Sequence, residues 1–143
     1  MRQDTEKAKR LLKENGYTCV LCKASQVISS MERGVKPLLE FLDDEESYEG
    51  YCAADKVVGK AAAMIYVALQ ISELYTGVIS RAAHEVLKKH NITVYYDEEV
   101  DIILRRDKQD ICPMEKTTRD IDDIDEAIYA IRIRLTELQH INK

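Results

Sequence analysis

The sequence predicts an α/β protein, a three-layer α-β-α sandwich around a mixed sheet, and three observations carry that prediction. The stretch "YTCVLCKASQVISS" alternates, is rich in β-formers and doubles back near Ala24-Ser25, as an antiparallel hairpin does. The succession "ELYTGVI", "RAAHEVLKKH", "ITVYYDE" reads strand, helix, strand, which implies a right-handed parallel crossover. Between Ala61 and Leu69 the chain is apolar on every side, so this helix is buried against the sheet rather than laid on the surface.

The elements follow in order. Residues from about Asp4 to Glu14 form a first helix, with Leu11 and Leu12 towards the core and Asn15-Gly16 as its stop. The hairpin strands are Tyr17–Lys23 and Gln26–Ser30. In "GVKPLLEFLDD", Pro37 suits the first turn of a short helix, and "DDEESYEGY" is an acidic loop. Asp55 is a good N-cap for the buried helix, which is expected to run to about Gln70. Ser80 caps the next helix, and Asn91 is its left-handed stop. "VDIILRR" reads as a short helix capped by Asp101 in preference to a further strand hairpinned back through Asp97-Glu98-Glu99. From Asp122 a final helix places Ile124, Ile128, Ile131 and Leu135 in helical spacing. No repeat, linker or low-complexity tract divides the chain, so residues 1–143 are expected to form one domain.

Composition narrows the function classes. A net charge of −5 argues against a nucleic-acid binder, which carries a basic face. No uninterrupted apolar run is long enough to span a bilayer, and the charged start "MRQDTEKAKRLLKENG" has no signal-peptide core. A cytoplasmic location with four reduced cysteines is the expectation. Exposed sheet or helix surface leaves room for a homodimer, without a heptad repeat to specify one.

The candidate chemistry gathers where open α/β sheets bind ligands, at the carboxyl ends of the strands. Lys56 and Lys60 open the apolar helix although a helix N-terminus already carries partial positive charge. Four apart, they share a helix face, and Gly59 leaves room beside them. Helix amides plus two ammonium groups make an anion site. The expected ligand-binding set is therefore Asp55, Lys56, Gly59, Lys60, Ser80 and Arg81, around a small anionic or nucleotide-like ligand. The competing explanation is that Lys56 pairs with Asp55 or the acidic loop while Lys60 reaches water along its stem.

Cys52 and Cys112 stand near expected helix starts, where a thiol's pKa falls. With Asp55 or Glu115 moving protons they are the catalytic candidates, against the competing reading of small buried side chains. Cys19-x-x-Cys22 has zinc-like spacing, yet positions three apart on a strand point to opposite faces. The three histidines, His84, His90 and His140, form no ligand pattern. In "HEVLKKH" the position four after His84 is Lys88. "GYCAADKVVGKA" has Ala61 where a phosphate loop carries Ser or Thr. "DIDDIDE" is what a helix's first turn favours. No metal and no cofactor are expected.

Three segments, "GVKPLLEFL", "ADKVVGKAAA" and "RRDKQDICPMEK", resemble a small prokaryotic domain-of-unknown-function family whose fold is classed as cytidine-deaminase-like. The resemblance covers about Tyr17 to Leu138 and implies that fold. Zinc deaminases carry a His or Cys with Ala-Glu at the buried helix and Pro-Cys-x-x-Cys at the next. Here Cys52-Ala53-Ala54 would put Ala54 in place of the glutamate, "GVISRAAHE" has no cysteine, and Cys112-Pro113 has the order reversed. The resemblance thus implies the fold without its zinc, and zinc-dependent deamination is not expected. Three functions are in contention: a binding module for a small anion, a thiol-dependent enzyme using Cys52 or Cys112, and an interaction protein with a vestigial pocket.

Overall fold

The computed structural model describes residues 1–105 and 107–141. Helix α1 (Gln3–Asn15) comes first, then the hairpin β1 (Cys19–Lys23) and β2 (Gln26–Ser30), and α2 (Lys36–Asp43). Strand β3 (Cys52–Val58) leads into the buried helix α3 (Lys60–Leu69), and β4 (Glu73–Ser80) leads into α4 (Arg81–Lys89). Strand β5 (Thr93–Val100) and the helices α5 (Pro113–Thr118) and α6 (Ile124–Ile141) close the chain.

The strands form one five-stranded sheet in the order β2-β1-β3-β4-β5. β1 pairs antiparallel with both β2 and β3, while β3–β4 and β4–β5 are parallel. Helix α1 covers one face, where Ala8 and Leu12 pack against Val20, Cys22, Ala54 and Tyr75. Lys9 adds its ammonium over the Tyr75 ring, 4.6 Å from the centroid. The other helices bury the opposite face in a larger core that includes Leu21, Val58, Ile65, Leu74, Ile79, Leu87 and Ile131. The result is the three-layer sandwich with a mixed sheet that the hairpin and the crossover predict.

Local chemistry explains most boundaries. Gly16 ends α1 with φ +70°, and Ala24 turns the hairpin with φ +54°. Pro37 lies in the first turn of α2. The Ser80 hydroxyl accepts from the Ala83 amide at the start of α4, and Asn91 takes φ +61° just after it. Cys19 and Cys22 are both buried, in clusters on opposite faces of the sheet, as strand alternation requires.

Two expectations are corrected. The buried helix does not begin at Asp55: residues Cys52–Val58 are a central strand, and α3 starts at Lys60 after Gly59. "CAADK" has weak β-propensity, but β3 bonds to β1 on one side and β4 on the other, and this pairing overrides local preference. Lys56 and Lys60 therefore lie on different elements and do not share a helix face. The segment after β5 is neither a short helix nor a paired strand. Asp101 pairs with Arg81 at 2.7 Å instead of capping a helix, and Leu104 forms a single antiparallel bridge with Ile111. Arg106, the end of that stretch, lies outside the described residues.

Candidate functional site

Because β1 runs against β3, the start of β1, the segment after β2 and the carboxyl end of β3 meet at one edge of the sheet. A cavity of about 430 Å³ opens there. Thr18 and Cys19 supply the β1 side, Arg33 and Val35 the segment after β2, and Asp55 and Lys56 come from β3. Gly59, Ala61 and Ala62 belong to the start of α3, while Ile103, Cys112, Met114 and Glu115 form the far wall. The lining is mostly apolar, and its size is that of small-molecule sites.

Asp55 sits half-buried on β3, opposite Cys19 in the ladder. Its Oδ2 accepts a hydrogen bond from the Tyr66 hydroxyl at 2.6 Å, and its Oδ1 accepts from the Val57 amide at 3.3 Å. Burial pushes the Asp55 carboxyl up to about 7, against the lowering effect of the Tyr66 and backbone hydrogen bonds. Tyr66 is wholly buried within α3. Burial first, then the Asp55 charge, holds its phenol far above the ordinary range, so it acts as a donor. Burial likewise drives the Cys19 thiol far up, with Asp55 adding to the effect.

Glu115 is only 9 % exposed. A Cβ built on Gly59 would stand 1.6 Å from its Oε1, so the carboxylate rests directly on the glycine at the mouth of α3. There it accepts from the Lys60 amide; burial raises its pKa, and that bond and the Lys60 charge oppose the rise. Glycine at 59 gives the carboxylate this place, and a methyl there would push the Glu115 side chain aside. Lys60, 7 % exposed, turns its ammonium to the Arg119 carbonyl at 3.1 Å and to Asp122 at 3.5 Å.

The helix mouth expected to receive an external anion thus holds the protein's own carboxylate. The cation expected beside it is satisfied within the fold. Of the expected ligand set, Asp55, Lys56 and Gly59 line the cavity. Ser80 is engaged as a helix cap and Arg81 in its ion pair with Asp101, and neither lines it. Of the catalytic candidates, Cys112, Asp55 and Glu115 come together there. Cys52 does not: it is buried within β3 beside Thr5 and Asp4 of α1, with its thiol pKa raised chiefly by burial.

Cys112 stands at the N-cap position of α5, as the Cys-Pro dipeptide suggests. Catalytic zinc needs three protein ligands around one point. Cys52 and Cys112 are on different sides of the sheet, and among the described residues no three His, Cys, Asp or Glu side chains gather in ligating geometry. The residues present do not fit the zinc of the deaminases.

Sequence reasoning misses Arg33, Thr18 and Tyr66. Tyr66 carries a usable signal, being the one hydroxyl in an otherwise apolar run, since a buried phenol needs a partner. Arg33 and Thr18 carry none. They reach the site only because the hairpin ends at the same edge as β3.

The profile of a domain of unknown function, DUF1893 (TM1506), matches residues 7–135. Among solved structures, the crystal structure of the DUF1893 family protein TM1506 from Thermotoga maritima is similar with a TM-score of 0.83 and 27 % identity. The similarity covers 96 % of this chain and 92 % of that one. No match was found among curated proteins. With the whole sheet and every wall of the cavity inside the matched span, the chain belongs to the DUF1893 family, a family of unknown function.

Proposed function

We propose that the protein is a small-ligand-binding module, and that its cavity takes an anionic or nucleotide-like molecule whose anionic end lies at the rim. The observation that carries this reading is one cavity joining apolar walls to two solvent-facing cations, Arg33 and Lys56. Among the described residues neither cation meets a carboxylate within ion-pair distance. The anion is directed to these side chains and not to the α3 amides, where Glu115 already lies. The fold resemblance to the deaminases supports a site at this edge but lends no zinc chemistry.

Thermal shift against nucleoside phosphates, sugar phosphates and small carboxylic acids tests the reading. At least one compound should raise the melting temperature of the wild type, and Lys56→Ala or Arg33→Ala should lose most of that rise. No shift in the wild type, or an equal shift in both variants, sinks it.

A second reading, a thiol-dependent enzyme, is favoured by one fact: Cys112 is half-exposed and lines the same cavity as Asp55 and Glu115. Cys52, the other cysteine in contention, lies away from the cavity. Iodoacetamide labelling of Cys112 across pH discriminates. Alkylation that rises only as an unperturbed thiol's would removes the enzyme reading.

A further inference from the structure

We propose that the ligand is amphoteric: its inner end is an N–H-rich cation, a guanidinium, amidinium or ammonium group held by Asp55 and Glu115, and its outer end is the anion met by Arg33 and Lys56. The inference rests on the binding reading above and names the chemical class that reading leaves open. Two carboxyl groups line the cavity among Val35, Ala61, Ile103 and Met114. The structure gives Asp55 the Tyr66 hydroxyl and the Val57 and Lys56 amides as donors, and Glu115 the Lys60 amide. A carboxylate offers about four acceptor positions, so both retain unused acceptor capacity.

The groups facing these carboxyls do not neutralise them. From α3 come the Tyr66 phenol and Lys60, whose ammonium is committed to Arg119 and Asp122. From β1 comes the Cys19 thiol, kept neutral by burial. Lys56, the next residue along β3, is exposed. Both carboxyls are accordingly held above their ordinary pKa, chiefly by desolvation. An inner phosphate or carboxylate would place another negative charge against them, which like-charge repulsion opposes. A keto group brings no donor to the acceptor positions that the protein leaves open on either carboxylate. A planar cation with several N–H groups satisfies both and restores their charge. The apolar wall then holds the stem, and the exposed cations hold the anion.

Arginine, agmatine and citrulline form the probe set, and all three carry an ammonium at the outer end. Arginine adds a carboxylate there and an inner guanidinium, agmatine keeps the guanidinium without the carboxylate, and citrulline keeps the carboxylate with a neutral ureido inner end. Binding is measured by calorimetry, and protonation by the carboxyl-carbon NMR signals of Asp55 and Glu115. Arginine should bind and lower the titration midpoint of Asp55 by about one pH unit, a tenfold change in its ionisation. Agmatine should shift the same signal while binding more weakly. Citrulline should not shift it. Asp55→Asn and Glu115→Gln should each weaken arginine about tenfold, with circular dichroism unchanged. Lys56→Ala should weaken arginine but not agmatine.

Citrulline binding as well as arginine, arginine binding without moving either carboxyl signal, or no binding of arginine overturns the amphoteric assignment. A phosphate compound that shifts the wild type through Lys56 would still uphold the cavity as a binding site, so the two failures are distinguishable.

Discussion

Asp55 couples the site to the stability of the fold, and the sign follows from its raised pKa. Below the ordinary carboxyl range the group is protonated in both folded and unfolded chains. Between that range and about 7 the folded chain keeps a proton that the unfolded chain has lost, so stability falls as pH rises through this window. Asp55→Asn removes the ionisation. The variant should gain stability relative to wild type between about pH 4 and 7, with the difference levelling off above. Urea unfolding at a series of pH values checks it; a difference independent of pH would show that Asp55 ionises normally. The Tyr66 hydroxyl is the strongest donor opposing that rise. Tyr66→Phe should therefore raise the Asp55 midpoint further and cost about 1–3 kcal/mol at neutral pH, read by carboxyl NMR and urea unfolding.

At the scale of elements, the junction of β3, α3 and α5 is a locked contact between Gly59 and Glu115. A methyl at 59 would also stand 2.7 Å from the Glu115 carboxyl carbon and 3.4 Å from Ile103 Cγ1, so the side chain must leave the mouth of α3. Gly59→Ala should cost about 1–3 kcal/mol, in the range of overpacking. In a Glu115→Ala background the same substitution should cost much less. A double-mutant cycle by chemical denaturation measures that coupling; additive effects would mean that α5 does not rest on Gly59 in solution. The junction also shows what was legible. Gly59 and Glu115 each stand out in the sequence, one as a gap beside the lysines and one as an acid after Cys-Pro. Their contact is invisible there, because 55 residues of intervening chain must fold before α5 meets α3. β3 was illegible for a related reason: its strand conformation comes from two neighbours, and its own residues prefer nothing strongly.

Across the whole molecule, α6 ties the late part of the chain to the sheet. Ile131 is fully buried in the same core as Ile65 and Leu87, and Arg132 beside it forms a paired contact with Asp43 at the end of α2. Ile131→Ala should destabilise the protein by about 2–5 kcal/mol, whereas Arg132→Ala, losing an exposed ion pair, should cost under about 1 kcal/mol. Thermal unfolding of the two variants checks the ranking, and equal losses would place α6 outside the cooperative unit.

The sequence alone determined the sandwich, the hairpin and its turn, the parallel β4–α4–β5 unit and the helix ends at Gly16, Ser80 and Asn91, and it singled out Asp55, Glu115, Cys52 and Cys112 without deciding which of them meet. These follow from periodicity, capping chemistry and turn residues, which act over a few positions and leave a local trace. Only the tertiary structure decided that Asp55 and Lys56 belong to a strand, that Glu115 fills the mouth of α3, and that Arg33 arrives at the rim. Each is a contact between segments distant along the chain, and its energy comes from pairing, burial and charge that do not exist until the sheet has closed around them.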